Sequence, residues 1–164
     1  PVVAVEWDPY ACAVLRERAA EGWFPGLEVI EGDIRTWDAT PYAGRVDCLC
    51  FGFPCQDISR IGSRQGLDGT RSGLYREGLR VLGQLRCEYA LIENGPDLIA
   101  DGLDRVLCDL SALGYDASWC DLSSAATGAA IGRLRCFILA RASGVGLPGQ
   151  QPGGSAGGNY RRQL

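Results

Sequence analysis

The 164-residue sequence contains no histidine, no lysine and no methionine. The missing histidine excludes imidazole acid–base catalysis and imidazole metal ligation. The missing methionine leads to the expectation that the chain does not begin at a start codon. No apolar run approaches the length needed to span a membrane, and no signal peptide is recognisable. Eight cysteines are present, at 12, 48, 50, 55, 87, 108, 120 and 136, yet no two stand at Cys-x-x-Cys spacing. The usual zinc pattern is therefore missing, and nothing signals the secreted setting of a disulfide framework. Most of these cysteines lie in apolar runs and are expected to be small buried hydrophobes.

The chain is 46% hydrophobic, enough to fill a core, and its length suggests one domain. Net charge is −4, which argues against a nucleic-acid partner, but the distribution of charge argues for one. All 16 basic residues are arginine, and from Arg60 to Arg86 six of them face only Asp68 and Glu77, a local balance of +4. The planar guanidinium fork suits phosphate. Arg76, Arg80 and Arg86 read as a solvated helix face, whereas Arg60, Arg64 and Arg71 fall in a polar loop with no apolar periodicity.

That loop belongs to the stretch that organises the chain, Val46–Tyr75. The apolar run Val46–Phe51 reads as a buried strand. Gly52-Phe53-Pro54 ends it, and Cys55 follows at once. Open α/β sheets place their chemistry beyond the carboxyl ends of strands, so Cys55 stands where a nucleophile is expected. The stretch resembles the DNA cytosine-5 methyltransferases, whose nucleophile lies in a Pro-Cys-Gln motif after a strand, here Pro54-Cys55-Gln56. Ser59, Gly62, Gly66, Arg71, Gly73 and Leu74 fall at the spacing of that family.

Upstream, Pro1–Glu6 reads as a strand. Asp8 and Pro9 then cap and open a helix to about Glu21, and Leu27–Ile30 reads as a second strand. This is the βαβ signature of a parallel sheet. An acid at such a strand end holds ribose hydroxyls in many nucleotide-binding sheets, and Glu6 is placed for this. Trp7 is placed to lie against an adenine face, Asp33 to accept from its amino group, and Ile34 to pack on the ring. Strand-end capping is the alternative for Glu6 and Asp33. The resemblance implies that the ligand is S-adenosyl-L-methionine, with Pro54 and Leu74 also at the cofactor.

Downstream, Ser72–Leu85 reads as a helix with Leu74, Gly78, Leu79, Leu82 and Leu85 on its apolar face. Tyr89–Ile92 reads as a strand, followed by Glu93-Asn94-Gly95, where the family has Glu-Asn-Val. Gly102–Leu113 reads as a helix ended by Gly114, with Leu103, Val106, Leu107, Leu110 and Leu113 at core spacing. Tyr115–Leu122 and Arg135–Ala140 read as an antiparallel pair. Their connection matches the family's Gln-x-Arg-x-Arg at Arg133 and Arg135, with Ile131 in place of Gln. Residues 143–164, with seven Gly and two Pro, read as a linker or tail after a partial catalytic domain at 1–142.

The resemblance thus implies an α/β, Rossmann-like methyltransferase fold. Its sheet is mostly parallel, with an antiparallel strand near the C-terminal end, and the family's first strand is absent. That strand would lie between Pro1–Glu6 and Val46–Phe51. The resemblance assigns catalysis to Cys55, Glu93, Arg133 and Arg135, and DNA contacts to Gln56, Ser59 and Arg71. It implies double-stranded DNA as partner, no metal, no membrane, a cognate restriction enzyme, and a cytoplasmic protein of prokaryotic or phage origin. Two other readings are the same chemistry on transfer RNA, and a thiol or metal protein built on Cys48, Cys50 and Cys55.

Overall fold

The structure, a computed structural model, describes residues 2–54 and 73–144. Strand β1, Val2–Glu6, leads into helix α1, Pro9–Ala20, and returns as strand β2, Leu27–Glu31. The two strands are parallel, in register from Val2↔Leu27 to Glu6↔Glu31. Asp8 caps α1 by accepting from the backbone N–H groups of Tyr10 and Ala11, so two orphan donors of the first turn are satisfied. The expected βαβ unit is present with these limits.

The second sheet holds strands β3, Cys48–Gly52, β4, Tyr89–Asn94, β5, Tyr115–Ser123, and β6, Leu134–Ala142, in the order β3-β4-β6-β5. β3 and β4 are parallel, and β6 is antiparallel to both β4 and β5. The late antiparallel pair follows the expectation from sequence. Among the described residues no ladder joins β1 to β3.

One face of the second sheet is covered by helices α2, Gly73–Leu85, α3, Leu98–Asp101, and α4, Leu103–Ala112. The core between them holds Tyr75, Leu82, Ile92, Leu98, Val106, Leu110 and Ile138, all essentially inaccessible. The other face carries Leu122 and Leu139, each nearly half exposed.

Three expectations need correction. The buried face of α2 is Tyr75, Gly78, Val81, Leu82 and Leu85 rather than one through Leu74, which is exposed. Tyr75 wins the inward place because its ring packs on Phe53 (centroids 5.0 Å apart) while its hydroxyl donates to Asp109 Oδ2 at 3.3 Å. The expected helix at 102–113 is preceded by a separate turn, α3, and Leu113 ends exposed at the C-cap of α4, followed by Gly114 at φ +85°. Finally, only Cys12, Cys87 and Cys136 of the described cysteines are buried. Cys48, Cys50, Cys108 and Cys120 are exposed, because the strand positions among them point to the uncovered sheet face.

Gly78 shows how tightly α2 lies on β3. A Cβ there would stand 2.3 Å from the Phe51 ring. Glycine costs a helix interior about 1 kcal/mol relative to alanine, yet here the steric term dominates. Gly78→Ala is expected to destabilise the protein by about 1–3 kcal/mol in urea unfolding. Gly83→Ala, in the same helix with Leu113 Cδ2 3.7 Å from the added atom, is expected to be neutral or stabilising. Equal effects from both would show that propensity, not the Phe51 contact, governs the helix.

Candidate functional site

The site builds up at the carboxyl ends of the parallel strands. Gly52 closes β3 directly opposite Glu93 of β4. A Cβ at Gly52 would lie 2.9 Å from Glu93 Oε2, so the glycine leaves the space the carboxylate occupies. Glu93 is also in register with Phe137 of β6, which brings the start of β6 alongside. From there Arg135 Nε reaches Glu93 Oε1 at 2.8 Å, and Arg135 Nη1 donates to the Leu134 carbonyl at 2.7 Å. The pair is partly sheltered, with side-chain exposures of 28% for Arg135 and 40% for Glu93.

Asn94 is the one buried polar side chain among the described residues, at 2% exposure. Its Nδ2 donates to the Phe53 carbonyl at 3.1 Å, and its Oδ1 accepts from the Gly95 N–H at 2.7 Å. Buried polar groups are retained when both ends are satisfied. Here the satisfied amide ties the end of β4 to Phe53-Pro54, the residues that lead into Cys55. Asn94 and Gly52 were readable in sequence only as a motif neighbour and a strand-end glycine. Their roles come from contacts between strands.

Cys55, Gln56, Ser59 and Arg71 lie outside the described residues, as do Arg60 and Arg64. Pro54 is described and exposed. Arg133 is exposed, and its backbone N–H donates to Ser124 Oγ at 2.9 Å. Among the described residues no ion pair joins Arg133 to Glu93. The structure therefore unites Glu93 with Arg135 and leaves Arg133 on the connecting loop.

A second group of expected residues sits at the ends of β1 and β2. Glu6 Oε1 accepts from the N–H groups of Trp7 and Asp8, both at 2.8 Å, which fixes the carboxylate at the strand end. Trp7 is 72% exposed, so its indole face is open. Asp33 accepts from the backbone N–H and guanidinium of Arg35. That bonding holds the Asp33 carboxyl below its ordinary range, so it is an ionised acceptor at neutral pH. The engagement of Asp33 with Arg35 was not read from sequence. Ile34 packs against the core, and Leu74 is exposed at the start of α2.

Among the described residues no cluster of three or more His, Cys, Asp or Glu side chains is arranged to hold a metal ion. Cys48 and Cys50 lie with their sulfurs 3.8 Å apart, and burial, together with the Cys50 thiol, pushes the Cys48 pKa up to about 11. No described helix is long and apolar enough to cross a membrane.

Comparison with known proteins gives a consistent picture. A family model described as C-5 cytosine-specific DNA methylase matches residues 1–148. The type II methyltransferase M.Eco47II of Escherichia coli is 37% identical over 106 residues, covering 65% of this chain and 24% of that protein. M.PspPI of Psychrobacter sp. matches with the same identity and coverage. M2.BsuMI of Bacillus subtilis is 38% identical over 98 residues, covering 57% of this chain and 23% of that protein. The crystal structure of the S. pombe Dnmt2 methyltransferase superposes with a TM-score of 0.67 at 24% identity, over 90% of this chain and 45% of that one. That likeness shows the fold. The chain spans about a quarter of the length of these curated relatives.

Proposed function

Since the chain belongs to the C-5 cytosine-specific DNA methylase family, we propose that it supplies the catalytic part of an enzyme that transfers a methyl group from S-adenosyl-L-methionine to C5 of cytosine in double-stranded DNA. The observation that carries this reading is the Glu93–Arg135 pair, seated over Gly52 at the strand end that leads into Pro54-Cys55.

The residues at β1 and β2 fit the methyl donor. Glu6 offers carboxylate oxygen to ribose hydroxyls, Asp33 is an ionised acceptor, and the exposed Trp7 ring offers a stacking face. Ile34, Pro54 and Leu74 would complete the apolar surround. When bound, S-adenosyl-L-methionine supplies an electrophilic methyl group.

Cytosine C5 is too weak a nucleophile to take that group unaided. In the proposed mechanism the Cys55 thiolate forms a bond to C6, and the electrons of the C5–C6 double bond become available at C5. Glu93 gives a proton to N3, which draws electron density from C6 and eases the attack. Arg135 holds Glu93 in place and can reach the base O2. After C5 is alkylated, its proton passes to water, the C5–C6 double bond re-forms as the C6–sulfur bond breaks, N3 returns its proton to Glu93, and the thiolate is regenerated. A stacked cytosine does not meet this geometry, so the nucleotide is flipped out at a cost of a few kcal/mol. Gln56, Ser59 and Arg71 are the proposed contacts to the flipped strand, and Arg133, on its exposed loop, is proposed to serve catalysis with Arg135. A cognate restriction enzyme and a cytoplasmic setting accompany this reading, which is supported by the type II relatives.

The test uses the protein extended to the length of its relatives and a donor with a labelled methyl group. Label is expected at cytosine C5 in duplex DNA. Label in transfer RNA but not DNA would move the substrate to RNA, and label in neither from folded protein would contradict the reading.

Gly52 gives a sharper prediction. Gly52→Ala displaces the flexible end of Glu93 rather than backbone, so the melting temperature should hardly change. The rate of methyl transfer should fall, by roughly tenfold to a hundredfold, because small misplacements of a catalytic group are costly. Thermal melting and single-turnover rates check this. A variant with normal rates would mean that the seat of Glu93 over β3 is irrelevant.

A further inference from the structure

Arg80 lies on α2 but does not behave as a solvated helix residue. Its Nη2 donates to the Ile34 carbonyl at 2.6 Å and its Nη1 to the Trp37 carbonyl at 3.0 Å. Nη1 also donates to Gln84 Oε1 at 2.9 Å, and Nε to Glu77 Oε2 at 2.6 Å. Gln84 Oε1 in turn accepts from the Ala39 N–H at 3.2 Å. The side chain is two-thirds covered, at 33% exposure.

Both carbonyls belong to the turn that follows β2, where Asp33 and Ile34 stand. Within it the Asp33 carbonyl accepts from the N–H groups of Thr36 and Trp37, at 3.0 and 3.1 Å. The turn is closed on itself from within and held by α2 from without. Apolar packing of Ile34, Trp37 and Tyr42 presses the turn onto the core but is not directional. The guanidinium fork supplies direction, since its donors address two carbonyls at once.

We propose that Arg80 is a positioning residue: its grip on the Ile34 and Trp37 carbonyls sets Asp33 and Ile34 for the adenine of S-adenosyl-L-methionine and registers that half of the site on α2. This rests on the functional reading given above. Arg80→Lys keeps the charge on a single ammonium and loses the fork, and Arg80→Met keeps only an apolar stem. Arg18→Gln, on an exposed arginine that pairs with Glu21, is the control. The protein extended to the length of its relatives is assayed for the dissociation constant of S-adenosyl-L-methionine by calorimetry, for kcat at saturating cofactor and DNA, and for melting temperature.

The expected result for both Arg80 variants is a dissociation constant raised roughly tenfold or more, equivalent to about 1.4 kcal/mol. Saturated kcat should stay close to that of the unsubstituted protein, and Arg18→Gln should change neither. Should Arg80→Met fail to fold, Arg80→Lys decides the matter. Folded variants that bind the cofactor normally, in a parent protein that also binds it, would overturn this proposal alone. Affinity, kcat and melting temperature falling in step would reduce Arg80 to a stabilising contact and overturn it as well. A folded parent protein that binds no S-adenosyl-L-methionine would overturn the functional reading and this proposal with it.

Discussion

Cys55→Ser is expected to abolish methyl transfer and to leave the fold intact. Replacing sulfur by oxygen changes little volume, and in sequence the position comes shortly after the end of β3 at Gly52. The chemistry changes far more. A serine hydroxyl stays protonated at neutral pH, whereas the thiolate is the form that attacks C6. Loss of a covalent nucleophile is on the order of 10⁶-fold in kcat in well-studied enzymes. Several other thiols are poor substitutes. Burial raises the pKa of Cys12 and Cys87 and pushes that of Cys136 up to about 12, so they remain protonated thiols. Circular dichroism and initial rates on duplex DNA make the comparison. A Cys55→Ser protein that retains measurable turnover would remove Cys55 from its assigned role.

Glu93→Gln should lower the rate by ~10²–10⁴-fold, the usual worth of a positioned proton donor. Glutamine preserves shape and can still accept from Arg135, so the seat over Gly52 is kept. What disappears is the proton for N3. Cofactor affinity should hardly move, because Glu6, Trp7 and Asp33 stand at and just beyond the ends of β1 and β2, not on β4. The decisive comparison sets single-turnover rates against the dissociation constant of S-adenosyl-L-methionine. If the two deteriorate together, Glu93 serves binding rather than proton transfer.

The local signals in this chain were legible because they are short-range. Asp8-Pro9 marks a helix start by satisfying orphan N–H groups, and α1 begins there. Alternation and apolar runs locate β1 to β4, and the late antiparallel pair follows from two strands joined by a short Ala- and Gly-rich connection. The opposed Glu93 and Arg135 were legible through their motifs, and the structure brings them to 2.8 Å.

The features that escaped prediction depend on partners distant in sequence. Periodicity alone does not decide between Leu74 and Tyr75 as the inward residue of α2, since the choice rests on Phe53 and on Asp109, 34 residues away. Arg80 has the composition of a surface arginine, and only the return of the 34–37 turn against α2 reveals its partners. The exposed Cys48, Cys50 and Cys120 sit in apolar runs, but a strand has two faces and only one is covered by described helices. The Asn94 bridge to Phe53 spans 41 residues and appears in no local pattern.

The central claim, that Cys55 is the nucleophile of a cytosine-5 methyl transfer, is tested most directly by a covalent trap. Duplex DNA carrying 5-fluorocytosine is incubated with S-adenosyl-L-methionine and the protein extended to the length of its relatives. Fluorine cannot leave C5 as the proton does, so the C6–sulfur bond persists after methylation. Peptide mapping by mass spectrometry should find the methylated fluorocytosine on Cys55, and no adduct when the cofactor is omitted. An adduct on another cysteine, or turnover on ordinary DNA with no adduct formed on the fluorinated substrate, would contradict the account.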